Sequence, residues 1–185
     1  MHVEIEAARA TMPDEWIEPL AQCLACSKPD RLDDFRAFWD DWAAGRIPGC
    51  KITVVAWEGG PPLPCAGSAA HTGFTDGNPS LPTALGVVRL WESPYCGDKW
   101  FVEGLEVLES HRRRGIATKM MERAIRELRS MNATETLYAH VRDGNEASIR
   151  TLRRLGFVCV SQGHYISSCG EPRDNGSEYA LSLAP

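Results

Sequence analysis

The sequence predicts a single mixed α/β domain, and three observations lead to that class. The stretch from Lys99 to Lys119 changes period halfway: Trp100 to Leu108 is rich in aromatic and branched residues, like a buried strand, whereas from Ile116 the apolar positions (Met120, Met121, Ala124, Ile125, Leu128) recur at helical spacing. Alternating strand-like patterns open the chain and close it. Two helical stripes precede the central strand and two follow it, giving the order β-αα-βββ-α-β-α-ββ. A right-handed crossover then places the central helix on one face of the sheet.

Taken in order, His2 to Ala10 alternates through Val3, Ile5 and Ala7 and reads as the first strand. Thr11, Asp14 and Glu15 mark the start of a helix from about Pro13 to Cys26, which Pro29-Asp30 breaks. A second helix, about Leu32 to Ala44, carries Phe35, Phe38, Trp39 and Trp42 on one side and stops at Gly45. Cys50 to Trp57 is a strand, Gly59 to Pro64 a turn, and Cys65 to Phe74 the returning strand of a hairpin. Thr75 to Pro82 is rich in turn residues. Ala84 to Tyr95 reads equally as a short strand or as an apolar loop over a pocket. Beyond the central helix, Thr134 to Val141 alternates as the next strand. Asn145 caps a helix ending at Gly156, and residues 157–166 and 177–183 are the last two strands.

Composition bounds what the chain does. Its 185 residues, 43% hydrophobic and 24% charged, suit one ordinary domain that buries a core without staples. No apolar run approaches a membrane span and the amino terminus lacks a basic-then-apolar leader, so a cytoplasmic protein without a membrane partner is expected. Seven cysteines cannot all pair within one chain, which suits a reducing compartment. Cys23 and Cys26 form a C-x-x-C without a second pair or a nearby histidine, so they read as thiols in a helix and no metal site is expected. The net charge of -5 argues against nucleic acid as a partner. Acids outnumber bases over residues 1–46, and the balance reverses between Arg112 and Arg154. A basic half for a polyphosphate and an acidic half for a cationic acceptor would produce this pattern, as would an acidic surface that only aids solubility.

The basic turn carries the chemistry. A strand that runs into a helix through Arg112-Arg113-Arg114-Gly115 presents backbone N–H groups at the positive end of a helix dipole, a natural phosphate site. Gly115 lets the backbone approach a phosphate, Ala117 keeps the first helical turn thin, and Thr118 offers a hydroxyl. A solvated basic turn is the plainer reading of the same residues. The spacing Arg112-x-x-Gly115-x-Ala117 resembles the Arg/Gln-x-x-Gly-x-Gly/Ala motif of the GNAT superfamily of N-acetyltransferases. About thirty residues on, Asn145 through Ser148, Ile149 and Leu152 to Gly156-Phe157 resembles that superfamily's later helix, with Leu152 where a tyrosine usually stands.

The resemblance covers nearly the whole chain and implies a mainly antiparallel central sheet with helices on both faces. It implies acetyl-CoA as co-substrate, with residues 99–185 as the half that holds it and residues 1–98 as the acceptor side. The family's cofactor contacts fall on Leu105, Val107, Arg112, Arg113, Arg114, Gly115, Ile116, Ala117, Thr118, Asn145 and Ser148. The acceptor is expected to be a small-molecule amine, and a homodimer is compatible with the resemblance. A Rossmann-type binder would need Gly-x-Gly-x-x-Gly early in the chain, and it is not there.

Acetyl transfer to an amine needs a neutral amine, a stabilised oxyanion and a leaving thiolate. An ammonium with a pKa of about 10 must lose its proton to a base or a water wire. Glu103 is the first candidate: in a regular strand it shares a face with Phe101, Leu105 and Val107, an apolar row for a carboxylate. A structural pairing with an arginine is the alternative. Glu106 would face the other way unless a bulge interrupts the strand, and is the reserve. Backbone N–H groups near Leu105 to Leu108 would hold the pantetheine arm and polarise the thioester carbonyl. Leucine at 152 cannot protonate the thiolate, so solvent, Tyr138, His140 or Tyr165 must do so. The run Phe101 to Ala117 is similar to the aminoglycoside 6'-N-acetyltransferases through its Glu103-Gly104 pair, and departs from them at Glu106 and Glu109. This implies an aminoglycoside- or polyamine-like acceptor. A protein N-terminal or lysine acetyltransferase and a catalytically weak acyl-CoA-binding regulator are the other readings.

Overall fold

The computed structural model describes residues 2–9, 11–25, 28–62 and 82–184. Among them the order is β1 (Val3–Arg9), α1 (Ile17–Ala25), α2 (Leu32–Ala43), β2 (Lys51–Glu58), β3 (Thr83–Ser93), β4 (Lys99–Val107), α3 (Ile116–Met131), β5 (Thr136–Arg142), α4 (Glu146–Arg154), β6 (Val158–Gln162), β7 (Tyr165–Ile166), β8 (Pro172–Arg173) and β9 (Gly176–Ser182). The expected strand at Cys65 to Phe74, the turn-rich stretch up to residue 81 and Cys26 of the C-x-x-C lie outside the described residues. Cys23 is buried. No helix among the described residues is long and apolar enough to cross a membrane.

Seven strands form one sheet in the order β1-β2-β3-β4-β5-β9-β6, while β7 and β8 pair as a separate hairpin. Every pairing in the large sheet is antiparallel except β4 with β5. Those two strands are joined through α3, as a parallel neighbour requires. Helices cover both faces. On one side Ile116, Met120, Met121, Ala124 and Leu128 of α3 pack with Leu152 of α4 against Val54, Leu85, Val88, Leu90 and Trp100. On the other, Leu20 of α1 and Trp39 and Trp42 of α2 pack against Val55, Trp57, Val87 and Trp91. A mixed, mainly antiparallel sheet with helices on both faces is therefore what the chain builds.

Residues 84–93 of the ambiguous stretch form most of an eleven-residue strand, and Pro94 and Tyr95 lie in the turn after it. The alternation that would have marked it is missing because both of its faces lie under helices: Leu85, Val87, Val88, Leu90 and Trp91 are all buried. Leu152 is 3% exposed and sits in the α3-side core, so its side chain is committed to packing.

A charge cluster ties β1 to α3. Arg9 donates to Glu127 and to Ser130 Oγ, and Arg123 Nε donates to Glu127 at 2.7 Å. Burial works to raise the Glu127 carboxyl, but the hydrogen bonds from Arg9 and Arg123 outweigh it and hold the group below its ordinary 4.5. A depressed carboxyl stabilises the fold above its unfolded pKa and loses that contribution as pH falls through the folded value. Glu127→Gln is expected to remove about 1–2 kcal/mol at neutral pH. Thermal melts should show the gap between variant and parent shrinking as pH falls below the ordinary carboxyl range, and a gap that does not change with pH would refute the linkage.

Candidate active site

The site is made where β4 leaves its parallel neighbour. Pairing of β4 with β5 covers only Trp100↔Leu137, Phe101↔Tyr138 and Val102↔Ala139. Beyond that point β5 continues with β9 as far as Arg142↔Gly176, while β4 continues with β3 as far as Val107↔Gly86. A gap thus opens between two parallel strands toward their carboxyl ends, and the β5-facing backbone edge of Glu103 to Val107 has no strand beside it. Because the strands are parallel, the helices that follow them, α3 and α4, both start at this end.

A bulge sets the direction of the carboxylates. Val87 pairs with Glu106 and Arg89 with Glu103, so two steps on β3 oppose three on β4. Gly104, inside the bulge, has φ +66°, a conformation in which a side chain is strained. The regular-strand expectation for Glu103 and Glu106 is therefore corrected. Glu103 shares its face with Phe101 and, across the bulge, with Glu106, while Leu105 and Val107 turn to the α3 side and pack on that core. Glu103 is half-buried and Glu106 exposed. Of the apolar row expected around Glu103 only Phe101 stays on its face, and its cross-strand partner is Arg89.

Arg89 was not singled out in the sequence, although a lone arginine within Ala84-Leu-Gly-Val-Val-Arg89-Leu-Trp91 is itself a signal, since a charge among core residues needs partners. Its guanidinium carbon lies 4.5, 5.5 and 5.2 Å from the ring centroids of Phe38, Trp39 and Trp42 on α2. Burial lowers its pKa to about 10, and the charges of Glu103 and Glu106 work in the opposite direction. At neutral pH it remains a cation.

The same face is bounded on the far side by the β7–β8 hairpin. The Tyr165 ring stacks on His140 at 4.3 Å, and His140 lies 5.1 Å from Phe101. Nε2 of His140 and Oε2 of Glu178 are 2.9 Å apart. The hairpin's tip is tied to the turn after β3, where Ser93 Oγ donates to Ser168 O and the Cys96 thiol donates to Ser167 O at 3.2 Å. In sheet order, β4 thus lies between a strand covered by α2 and a strand covered by the hairpin, and Glu103 faces the space between them. Of the three side chains considered for protonating the thiolate, His140 is the one held by a carboxylate.

The basic turn follows β4 directly. Nε of Arg112 donates to Val107 O at 3.1 Å, folding the turn back onto the strand's end. Arg113 and Gly115 have φ of +61° and +78°, so the backbone curls and α3 begins at Ile116. Lys119 N donates to Gly115 O at 3.0 Å. The N–H groups of Ile116, Ala117 and Thr118 precede that first helical bond and belong to the helix's unpaired start. A Cβ at Gly115 would meet nothing within 4 Å, so the space before the helix is open to a ligand. Across the gap, Asn145 Oδ1 accepts from Ser148 N at 3.2 Å and caps α4, as its sequence position predicts. An open β4 edge, an accessible helix N-terminus and three arginines fit the arm and pyrophosphate of a coenzyme A thioester. Two surface pockets, of about 510 and 330 Å³, lie elsewhere, around Arg129 near the other end of α3.

A sheet that splays between two parallel strands, with a bulged strand and a basic helix start at the opening, defines the acyl-CoA N-acyltransferase class of fold. The sequence profile of the acetyltransferase (GNAT) family matches residues 26–157, and the chain belongs to that family. It is 32% identical over 82 residues to an N-alpha-acetyltransferase of Saccharolobus solfataricus, covering 43% of this chain and 49% of that one. To an N-alpha-acetyltransferase of Sulfurisphaera tokodaii it is 31% identical over 86 residues, covering 46% and 52%. The chain thus spans about half the length of these curated relatives. Among solved structures it resembles an N-acetyltransferase from Staphylococcus aureus Mu50 (TM-score 0.64, 17% identity, 97% and 99% of the two chains). It also resembles the acetyltransferase yncA of Salmonella typhimurium, solved with its cofactor acetyl-CoA (0.62, 16%, 100% and 96%), and Arabidopsis thaliana NAA60 in complex with a bisubstrate analogue (0.58, 18%, 96% and 98%). At such identities these likenesses concern the fold alone.

Proposed function

We propose that this protein transfers an acetyl group from acetyl-CoA to a primary amine, directly and in a ternary complex. The observation that carries the reading is the gap between β4 and β5, which places a half-buried carboxylate beside an unpaired strand edge and a basic helix start. Bound acetyl-CoA would supply an activated acetyl thioester. Gly115, Ile116, Ala117 and Thr118 would meet its pyrophosphate through backbone N–H groups, and Arg112, Arg113 and Arg114 would balance its charge. The strand backbone at Leu105 and Val107 would hold the pantetheine arm and the thioester oxygen. Asn145 and Ser148 would border the same arm from α4. Glu103, reached by the acceptor from between α2 and the hairpin, takes the proton of the ammonium directly or through water, with Glu106 beside it on the same face. With Leu152 buried, solvent can protonate the thiolate, whose parent thiol has a pKa of about 8.5.

The archaeal relatives' names support a polypeptide α-amine as the acceptor. A small polycation, aminoglycoside- or polyamine-like, is the second reading, favoured by the acidic first half. Several of those acids already have internal partners, however: Arg36 binds Glu18 and Asp33, Arg31 binds Asp34, and Arg46 binds Asp41. The proposal includes a cytoplasmic setting, in keeping with the thiols at Cys50, Cys96, Cys159 and Cys169, and homodimer formation, read by light scattering. The deciding experiment measures thiol release from acetyl-CoA with short peptides, polyamines and aminoglycosides. Release with any of them supports the enzyme and fixes its acceptor class. Silence throughout, with acetyl-CoA still bound, would replace it by an acyl-CoA-binding regulator.

A further inference from the structure

We propose that Arg89 sets the charge of the acceptor site, so that Glu103 and Glu106 together present one net negative charge and the site selects an acceptor with a single ammonium. This rests on the acceptor site proposed above. The two carboxylates share one face of β4 only because of the bulge, and Arg89 is the cross-strand partner of Glu103 on that face. A Cβ at Gly104 would collide with Nη2 of Arg89, so the glycine that makes the bulge also makes room for the guanidinium. The pair Glu103-Gly104 is thus a carboxylate followed by the one residue over which its counter-charge can lie.

Three rings from α2 hold the guanidinium in place. Phe38, Trp39 and Trp42 lie within 5.5 Å of its central carbon, in contacts that favour a cation when it is removed from water. The Trp39 indole N–H makes no hydrogen bond among the described residues, so what that ring offers Arg89 is its face. Clasped by α2, Arg89 cannot swing into the gap and act as a mobile anion binder. It stays a fixed positive charge beneath two carboxylates. Lys51 also reaches the Trp42 ring, at 5.4 Å, but it donates to Ile47 O and stands opposite Trp91, a two-residue step further along and one strand beyond β3. That spacing puts it on the order of 10 Å from Glu103, two strands away, whereas Arg89 is the direct cross-strand partner, so the charge of Lys51 acts on the pair more weakly.

Two carboxylates and one guanidinium leave one unit of negative charge for the acceptor. A single α-ammonium balances it. A second cationic group on the acceptor would have to be placed beside Arg89 without a partner, and like charges across a recognition site are rejected. Arg89 does not meet the reacting atoms; it is a specificity-determining and positioning residue acting through Glu103 and Glu106.

The test compares two short peptides that differ only in alanine or lysine at the second residue, carrying one and two ammonium groups. The native protein should acetylate the one-charge peptide with the higher kcat/KM. Arg89→Gln should move the ratio by about tenfold toward the two-charge peptide, the scale of one unit of charge near a protein surface. Arg89→Lys should keep the native ratio within about twofold, because it keeps the charge. Equal losses for both peptides in Arg89→Gln would mean that Arg89 merely supports the fold, and would overturn the proposal. If Arg89→Gln does not fold, Glu106→Gln decides: it is exposed, and the ratio should move about tenfold away from the two-charge peptide. An unchanged ratio there overturns the proposal as well. Failure of the underlying acceptor reading looks different: the native protein would acetylate neither peptide, or only a polyamine supplied alongside, and the charge rule would fall with it.

Discussion

Glu103→Gln is expected to lower kcat by about 10²- to 10³-fold while leaving the Kd for acetyl-CoA within about twofold. The physical reason is local. The amide keeps the shape and hydrogen-bonding reach of the carboxylate, so the bulge, the Gly104 conformation and the cross-strand pairing with Arg89 need little adjustment. What it cannot do is accept the proton of an ammonium. The site proposed for the coenzyme lies along the other edge of β4 and at the start of α3, so its affinity should not register the change. Turnover measured against pH separates a base from a structural carboxylate. With Glu103 as the base, the residual rate of the variant rises with pH as the acceptor amine loses its own proton, and the acidic limb of the native profile disappears. A variant with the native profile and native kcat would transfer the role to Glu106 or to water. Melting temperatures of the two proteins, compared in parallel, exclude unfolding as the cause.

Gly115→Glu is expected to reduce acetyl-CoA affinity by more than about a hundredfold in calorimetry, the loss of roughly 3 kcal/mol. Two effects add. The glutamate carboxylate would stand in the open space before α3, where the helix start and Arg112 to Arg114 are proposed to meet a pyrophosphate, and would repel it. A residue with a side chain at φ +78° is also strained, by about 1–2 kcal/mol. That strain falls on an exposed turn, so the variant should remain folded with a lowered melting temperature. Gly115→Ala is the control: it carries the strain without the charge, and its affinity should lie between the two. Tight binding by the glutamate variant would remove the pyrophosphate from this turn.

Much of this protein is readable without coordinates. The helical stripe of α3 and the cap of α4 by Asn145 were predictable because each depends on side chains within a turn or two. The run at residues 84–95 was not, because a strand covered on both sides loses the alternation by which strands are recognised. Arg89 shows the same limit at the site. Its partners come from β4, ten or more residues on, and from α2, some fifty residues back, and nothing local in the sequence joins them. The hairpin that stacks Tyr165 on His140 is likewise a long-range product of two short strands too brief to carry a periodicity.

The sequence by itself determined the family, the strand-to-helix turn with Gly115 at its bend, and Glu103 as the carboxylate to consider first, since all of these are written in short-range spacing. Only the tertiary structure decided that Glu103 and Glu106 look the same way, that Leu105 and Val107 look the other, and that an arginine clasped by three rings lies beneath the pair. The reason is one extra residue in β4. A bulge shifts side-chain parity by one position, and whether it forms depends on the neighbouring strand against which the register is counted.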